Sequence, residues 1–147
     1  MRHLIILALS IVSLAACAHA TEKVCTQEEA IQAETESSTL QDWDGVYQAF
    51  SRFAHCDDGA ISEGYSDSIA RLLTRNWDDI GRAGALTVND KKFERFILRH
   101  IDGLMSPVQA KAIEENARIH CPPNVERLCK RIESRLSEVD RNLRQEK

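Results

Sequence analysis

Proline and glycine are scarce in this chain, which has three prolines and six glycines among 147 residues. These residues interrupt helices and build tight turns, so their scarcity disfavours a fold made of many short strands and turns. No segment alternates apolar and polar residues with the period of two that a half-buried strand requires. Alanine, leucine, arginine and glutamate are abundant, and these residues favour helices. The sequence therefore predicts an all-α fold.

Sequence motifs of common enzymes are also missing. The chain contains no Gly-x-Ser-x-Gly elbow, no His-Glu-x-x-His zinc helix and no glycine-rich phosphate loop. Its net charge is −4 and its basic residues form no concentrated stripe, so nucleic acid is not an expected partner. We therefore expect no catalytic residues, no metal site and no cofactor.

A largely apolar run of 13 residues, from Leu4 to Ala16, follows a short cationic start at Arg2 and His3. A helix of this length cannot span a hydrocarbon core of about 30 Å, so the run is typical of a signal peptide. It ends in Leu14-Ala15-Ala16-Cys17, which resembles the lipobox of bacterial lipoproteins. In that family the signal is cut before the cysteine, whose sulfur carries a diacylglyceryl group. The resemblance covers residues 1–17 and implies lipidation of Cys17.

This interpretation divides the chain into a signal peptide (1–16), a lipid-anchored tether (17–24) and an all-helical domain (25–147). Ala18 follows the cysteine where an aspartate is linked with inner-membrane retention in enteric lipoproteins, so the resemblance implies the outer membrane. A second cut is open, because Ala18-His19-Ala20 fits the rule for ordinary secretory cleavage. That cut would release a soluble periplasmic protein beginning at Thr21. Either route exports the protein.

Export changes how the five cysteines are counted. Cys17 is not available for a disulfide after either cleavage, because it is lipidated in one case and lost with the signal peptide in the other. The four cysteines that remain allow two disulfides in an oxidising compartment. Their spacings of 31, 65 and 8 residues fit no common zinc finger. We expect Cys121 to pair with Cys129, because the intervening Pro-Pro-Asn reverses the chain between two helices. Cys25 and Cys56 then form the second pair.

Helix starts and stops divide the domain into about six helices, or seven, packed as an antiparallel bundle. Thr26 and Glu29 have the spacing of a capping box, and Ser106-Pro107 is a second strong start. Further helices are expected to begin near four positions: Thr39, Ser62, Asn89 and Asn124. Two glycines before Leu86 predict a loose connection between residues 81 and 88, with at most a short helix.

The charge is unevenly distributed. Residues 17–79 carry 13 acidic and 4 basic side chains (13 − 4 gives −9), whereas residues 80–147 carry 10 acidic and 14 basic ones (14 − 10 gives +4). Either the two halves pack as complementary parts of one domain, or the acidic half is a surface for a cationic protein partner.

Four carboxylates are concentrated around one turn: Asp57, Asp58, Glu63 and Asp67. Their spacing does not fit a calcium-binding EF-hand loop. They either cap the following helix or contact the partner.

Two histidines stand beside reactive or charged residues. His55 precedes Cys56, but consecutive residues of a helix point about 100° apart, so the pair does not predict a nucleophile and its base. Arg99 and His100 lie in an apolar segment. A buried cation requires a partner, so we expect an internal pair between one of them and an acidic residue of the first half. A recognition pocket is the alternative.

The expected function is that of a non-enzymatic binding protein tethered on the periplasmic side of the bacterial envelope. In size and character the chain is similar to periplasmic immunity and inhibitor proteins that neutralise toxins or hydrolases. A structural or assembly lipoprotein is the second hypothesis, and a hydrolase that uses the acidic cluster is the third.

Overall fold

The computed structural model describes residues 23–145, so the lipobox and Cys17 lie outside the described residues. Within this range the chain forms seven α-helices and two 3₁₀ turns, with no strand. The helices are α1 (Gln27–Ser37), α2 (Trp43–Phe53), α3 (Gly59–Arg75), α4 (Ile80–Asn89), α5 (Lys91–Arg99), α6 (Pro107–Ile119) and α7 (Glu126–Gln145). The 3₁₀ turns are Ala54–Cys56 and Trp77–Asp79. The prediction of one all-α domain is confirmed.

Side-chain caps explain where several helices begin. Thr26 and Glu29 form the predicted capping box at α1, and Ser106 and Gln109 form another at α6. Asp58 caps α3 by accepting a hydrogen bond from the Gly59 N–H at 2.8 Å. These contacts satisfy backbone donors that have no partner inside the helix.

Four predicted helix starts are shifted. The third helix begins at Gly59, three residues before Ser62, because Asp58 caps it. The second helix begins after Asp42, whose carboxylate accepts from the Gly45 N–H at 2.7 Å, because the Thr39 hydroxyl instead donates to the Glu36 carbonyl at the end of α1. Asp90 caps α5, since Asn89 still belongs to α4. The last helix begins at Glu126, two residues after Asn124.

The region predicted as a loose connection is the helix α4. Its Gly84 is needed for packing, because a Cβ atom there would collide with the side chain of Val125. Gly64 has the same role in α3, where a Cβ atom would collide with Ser37 of α1. A glycine in this sequence can therefore mark a position where two helices approach closely. Sequence pattern alone cannot distinguish such a glycine from one in a turn.

The core and two disulfides hold the helices together. Large side chains from α2, α3, α5 and α7 are fully buried, among them Trp43, Tyr65, Phe93 and Ile132. Cys25 is bonded to Cys56 and Cys121 to Cys129, with Cα atoms 5.0 and 6.2 Å apart. The predicted disulfides are therefore formed. No helix among residues 23–145 is long and apolar enough to cross a membrane.

Candidate functional site

The carboxylate of Asp57 lies inside the molecule. It follows the first 3₁₀ turn, and its side chain is 1% exposed. Its Oδ2 atom lies 3.1 Å from Nε2 of His100 and forms an ion pair with Arg99. The predicted internal pair between the Arg99-His100 segment and an acidic residue of the first half is therefore confirmed.

Neighbouring Asp58 has a different environment. It is exposed and caps α3, whereas Asp57 contacts the end of α5. Burial by itself raises the pKa of the Asp57 carboxyl, but its interactions with His100 and Arg99 outweigh burial and hold that pKa below its ordinary value. Asp57 is therefore a charged structural group, and of the two only Asp58 is accessible to a partner.

A chain of buried polar groups continues from His100. Its Nδ1 atom lies 3.1 Å from Oγ of Ser66, and the Ser66 hydroxyl donates to Oδ2 of Asp102 at 2.6 Å. Ser66 is 3% exposed and His100 is 1% exposed. The structure thus brings a serine, a histidine and two aspartates together from three separate segments.

This constellation includes the residue types of a hydrolase triad, but its hydrogen bonds run in another direction. In a triad the serine gives its proton to the histidine. Here the single proton of Ser66 is donated to Asp102, so Ser66 Oγ can only accept from Nδ1 of His100. The opposite ring nitrogen, Nε2, lies 3.1 Å from the Asp57 carboxylate.

A second buried carboxylate, Glu94 of α5, was not singled out by the sequence. It accepts hydrogen bonds from Arg127 of α7 and lies 3.6 Å from Arg131 and 3.7 Å from Lys91. Its position among the buried Phe93, Phe96 and Ile97 of α5 was the available signal, since a carboxylate in such a segment needs cationic partners.

Glu29, His55 and Cys56 have potential ligand atoms within 4.8 Å of one another. The Cys56 sulfur is in a disulfide and cannot act as a thiolate ligand. The Glu29 carboxylate receives hydrogen bonds from Lys23 and Thr26 and contacts His55 at 3.3 Å, and these partners lower its pKa to about 2. The three residues therefore form a junction at the start of α1 and do not fit a metal centre.

The remaining residues of the acidic cluster, Glu63 and Asp67, are exposed on α3. They line a cleft of about 230 Å³ together with Leu104 and Met105 from the loop before α6. Leu104 is 65% exposed, and Val108 in the first turn of α6 is 78% exposed. We call these five residues the α3–α6 surface.

Four of the eight other described carboxylates of the first half have partners within the fold, and Glu29 is one of them. Asp42 caps α2, Glu36 pairs with Arg52, and Asp44 pairs with Arg82 across the two halves. Asp67 itself contacts Arg71 at 2.5 Å. Caps and ion pairs thus account for part of the acidic charge of the first half. In the α3–α6 surface, the exposed carboxylates of Glu63 and Asp67 line the same cleft as the exposed Leu104.

The chain was compared with protein-family models, curated proteins and solved structures, and no match was found in any of the three.

Proposed function

We propose that the protein is exported, is tethered to the bacterial cell envelope through Cys17, and acts without catalysis by binding another protein. The α3–α6 surface carries this proposal. The exposed Leu104 lines a cleft together with the carboxylates of Glu63 and Asp67, and the exposed Val108 follows in the first turn of α6. Exposed apolar side chains rimmed by polar groups are typical of protein–protein interaction sites. The complementary partner presents an apolar anchor with cationic neighbours.

The disulfides and the position of Cys17 support export and tethering. Two disulfides in a small domain are typical of an oxidising compartment. Cys25 follows Cys17 by eight residues, which span at most about 28 Å when fully extended. A lipid on Cys17 would therefore keep the folded domain close to the membrane surface.

The buried polar network supports a function without catalysis. Ser66 lies 3.1 Å from Nδ1 of His100 and also lines the cleft of the α3–α6 surface. Its hydroxyl proton is already donated to Asp102, and the hydrogen bonds do not run in the direction that a serine nucleophile requires. We therefore assign Ser66, His100 and Asp57 to stability.

The partner class that we propose is a secreted toxin or hydrolase, as for the periplasmic immunity and inhibitor proteins that this chain resembles in size and character. That resemblance is one of class. A resident protein of the envelope is the alternative partner class, and identification of the captured chain distinguishes the two.

We expect Cys17→Ser to move the protein from the membrane fraction to the soluble periplasmic fraction, because serine cannot form the thioether to the lipid. Fractionation followed by intact-mass measurement checks this result. Wild-type protein that is itself soluble and begins at Thr21 would contradict lipidation and identify ordinary secretory cleavage.

Capture from a periplasmic and envelope extract tests the binding surface. We expect wild-type protein to retain a partner, and we expect the Leu104→Lys/Val108→Lys variant to bind that partner at least tenfold more weakly. Both lysines replace exposed apolar side chains of the α3–α6 surface with positive charges, which repel the cationic neighbours of the partner's apolar anchor. Ile31→Lys/Ile119→Lys is the matched control, since Ile31 and Ile119 are each 59% exposed outside this surface. A partner retained equally by all three proteins would contradict the assignment.

A further inference from the structure

An open groove of about 530 Å³ between helices α5 and α7 is lined by four arginines. The lining consists of Arg95, Leu98, Arg99, Arg131, Ser134, Arg135 and Glu138. Four positive charges therefore face one negative charge. We call this site the arginine groove, and it shares no residue with the α3–α6 surface.

Internal contacts hold three of these side chains in place. Arg99 is paired with the buried Asp57, and Arg131 lies 3.6 Å from the buried Glu94. The Nε atom of Arg135 donates to the carbonyl oxygens of Leu98 at 3.1 Å and Ile101 at 2.9 Å, at the end of α5. Contacts within the fold therefore position the guanidinium groups of Arg99 and Arg135, which reduces the entropy that these two side chains lose on binding.

Many donors of these guanidinium groups remain for a ligand. A guanidinium has five N–H donors, and the internal contacts of Arg99 and Arg131 each involve one nitrogen atom. Arg95 is exposed and forms no ion pair with any residue between 23 and 145. Converging guanidinium groups suit the tetrahedral oxygens of phosphate, which they contact through two parallel hydrogen bonds.

We propose that the arginine groove binds the phosphate group of an anionic ligand. The ligand is either a soluble phosphorylated small molecule or the headgroup of an anionic phospholipid, and both present the same phosphate chemistry. The volume of the groove falls in the range of small-molecule sites, roughly 300 to 1,000 Å³. The inference stands independently of the proposed protein partner.

The test compares the protein with two double variants that lose equal charge. Arg95→Gln/Arg131→Gln removes two groove arginines. Of the ion pairs described above it loses only the 3.6 Å contact of Arg131 with Glu94, because Glu94 keeps Arg127 and Asp57 keeps Arg99. Arg75→Gln/Arg118→Gln is the control, since both arginines are exposed and lie outside the groove. Circular dichroism and the unfolding midpoint establish that each variant is folded.

Calorimetric titration of the full chain uses three probes: pyrophosphate, dihexanoyl phosphatidylglycerol below its micelle concentration, and dihexanoyl phosphatidylcholine as the zwitterionic control. We expect an anionic probe to bind wild type and the control variant equally, and the groove variant about tenfold or more weakly, since two charge-assisted contacts are lost. Raised salt should weaken binding. Preference for pyrophosphate supports a soluble ligand, and preference for phosphatidylglycerol over phosphatidylcholine supports a headgroup.

Two results would overturn the proposal. One is the absence of binding by wild type to both anionic probes at millimolar concentration. The other is an equal loss of affinity in the groove variant and the Arg75→Gln/Arg118→Gln control. That result would show that the probes respond to the net charge of the protein and not to the groove.

Discussion

Asp57→Ala is expected to lower the free energy of unfolding by roughly 3 kcal/mol, because it leaves His100 buried without its carboxylate partner. The His100 side chain is 1% exposed and cannot turn to water. Arg99 is 59% exposed, so water can solvate it once Asp57 is removed. The loss in free energy of unfolding should therefore lie near the lower end of the range that is usual when one partner of a buried ion pair is removed. Urea denaturation measures the effect.

Asp58→Ala is the matched control for this variant. Asp58 is exposed and caps α3, so its loss should cost about 1 kcal/mol, the usual value for a helix cap. Equal losses in the two variants would show that Asp57 also acts only as a helix-terminal charge, and would contradict its assignment to the buried network.

The pH dependence of Asp57→Asn gives an independent readout. The folded-state pKa of Asp57 lies below its ordinary value of 3.8, so its charge stabilises the fold fully above that value. The stabilisation is lost as the pH falls through the depressed folded-state pKa. The difference in unfolding free energy between wild type and Asp57→Asn should therefore shrink as the pH falls below about 4. A difference that stays constant or grows as the pH falls from about 4 to 2 would contradict this role of the Asp57 charge.

Removing the Cys25–Cys56 disulfide should cost more than removing Cys121–Cys129. The first closes a separation of 31 residues and the second a separation of 8. Loop-closure entropy predicts losses of about 3.7 and about 2.5 kcal/mol for the two double-alanine variants. Alanine is preferred to serine because Cys56 and Cys129 are buried, and a buried hydroxyl would add its own cost.

Denaturation of both oxidised variants and wild type checks the order of these effects. The longer disulfide also anchors the start of α1 to the 3₁₀ turn next to Asp57, so its loss should also loosen the Asp57–His100 contact. A larger loss from the Cys121–Cys129 pair would show that native contacts, rather than loop length, determine the stabilisation.

Local chemistry explains which parts of the fold the sequence predicts. The capping boxes at Thr26 and Ser106 involve residues three positions apart, and each defines its helix start without tertiary information. The disulfides follow from parity and from the turn at Pro122-Pro123. The start near Thr39 and the loose connection around Gly84 were wrong, because Asp42 caps α2 and because Gly84 allows close contact with Val125.

The candidate sites depend more strongly on tertiary contacts. An apolar segment containing Arg99 and His100 predicts an acidic partner, but it does not identify Asp57. Ser66 and Asp102 are 36 residues apart, and Glu94 and Arg127 are 33 apart. The arginine groove likewise forms only when the basic faces of α5 and α7 are placed together. Such sites arise from helix packing, which periodicity does not encode.

The most direct test of the proposed binding function is the association rate of the captured partner, measured at several salt concentrations with wild type and with Glu63→Gln/Asp67→Asn. Both carboxylates are exposed on the α3–α6 surface, and interface charges of this kind act chiefly on the rate of encounter. We expect slower association and a flatter salt dependence for the variant. An unchanged rate with an unchanged salt dependence would contradict this expectation.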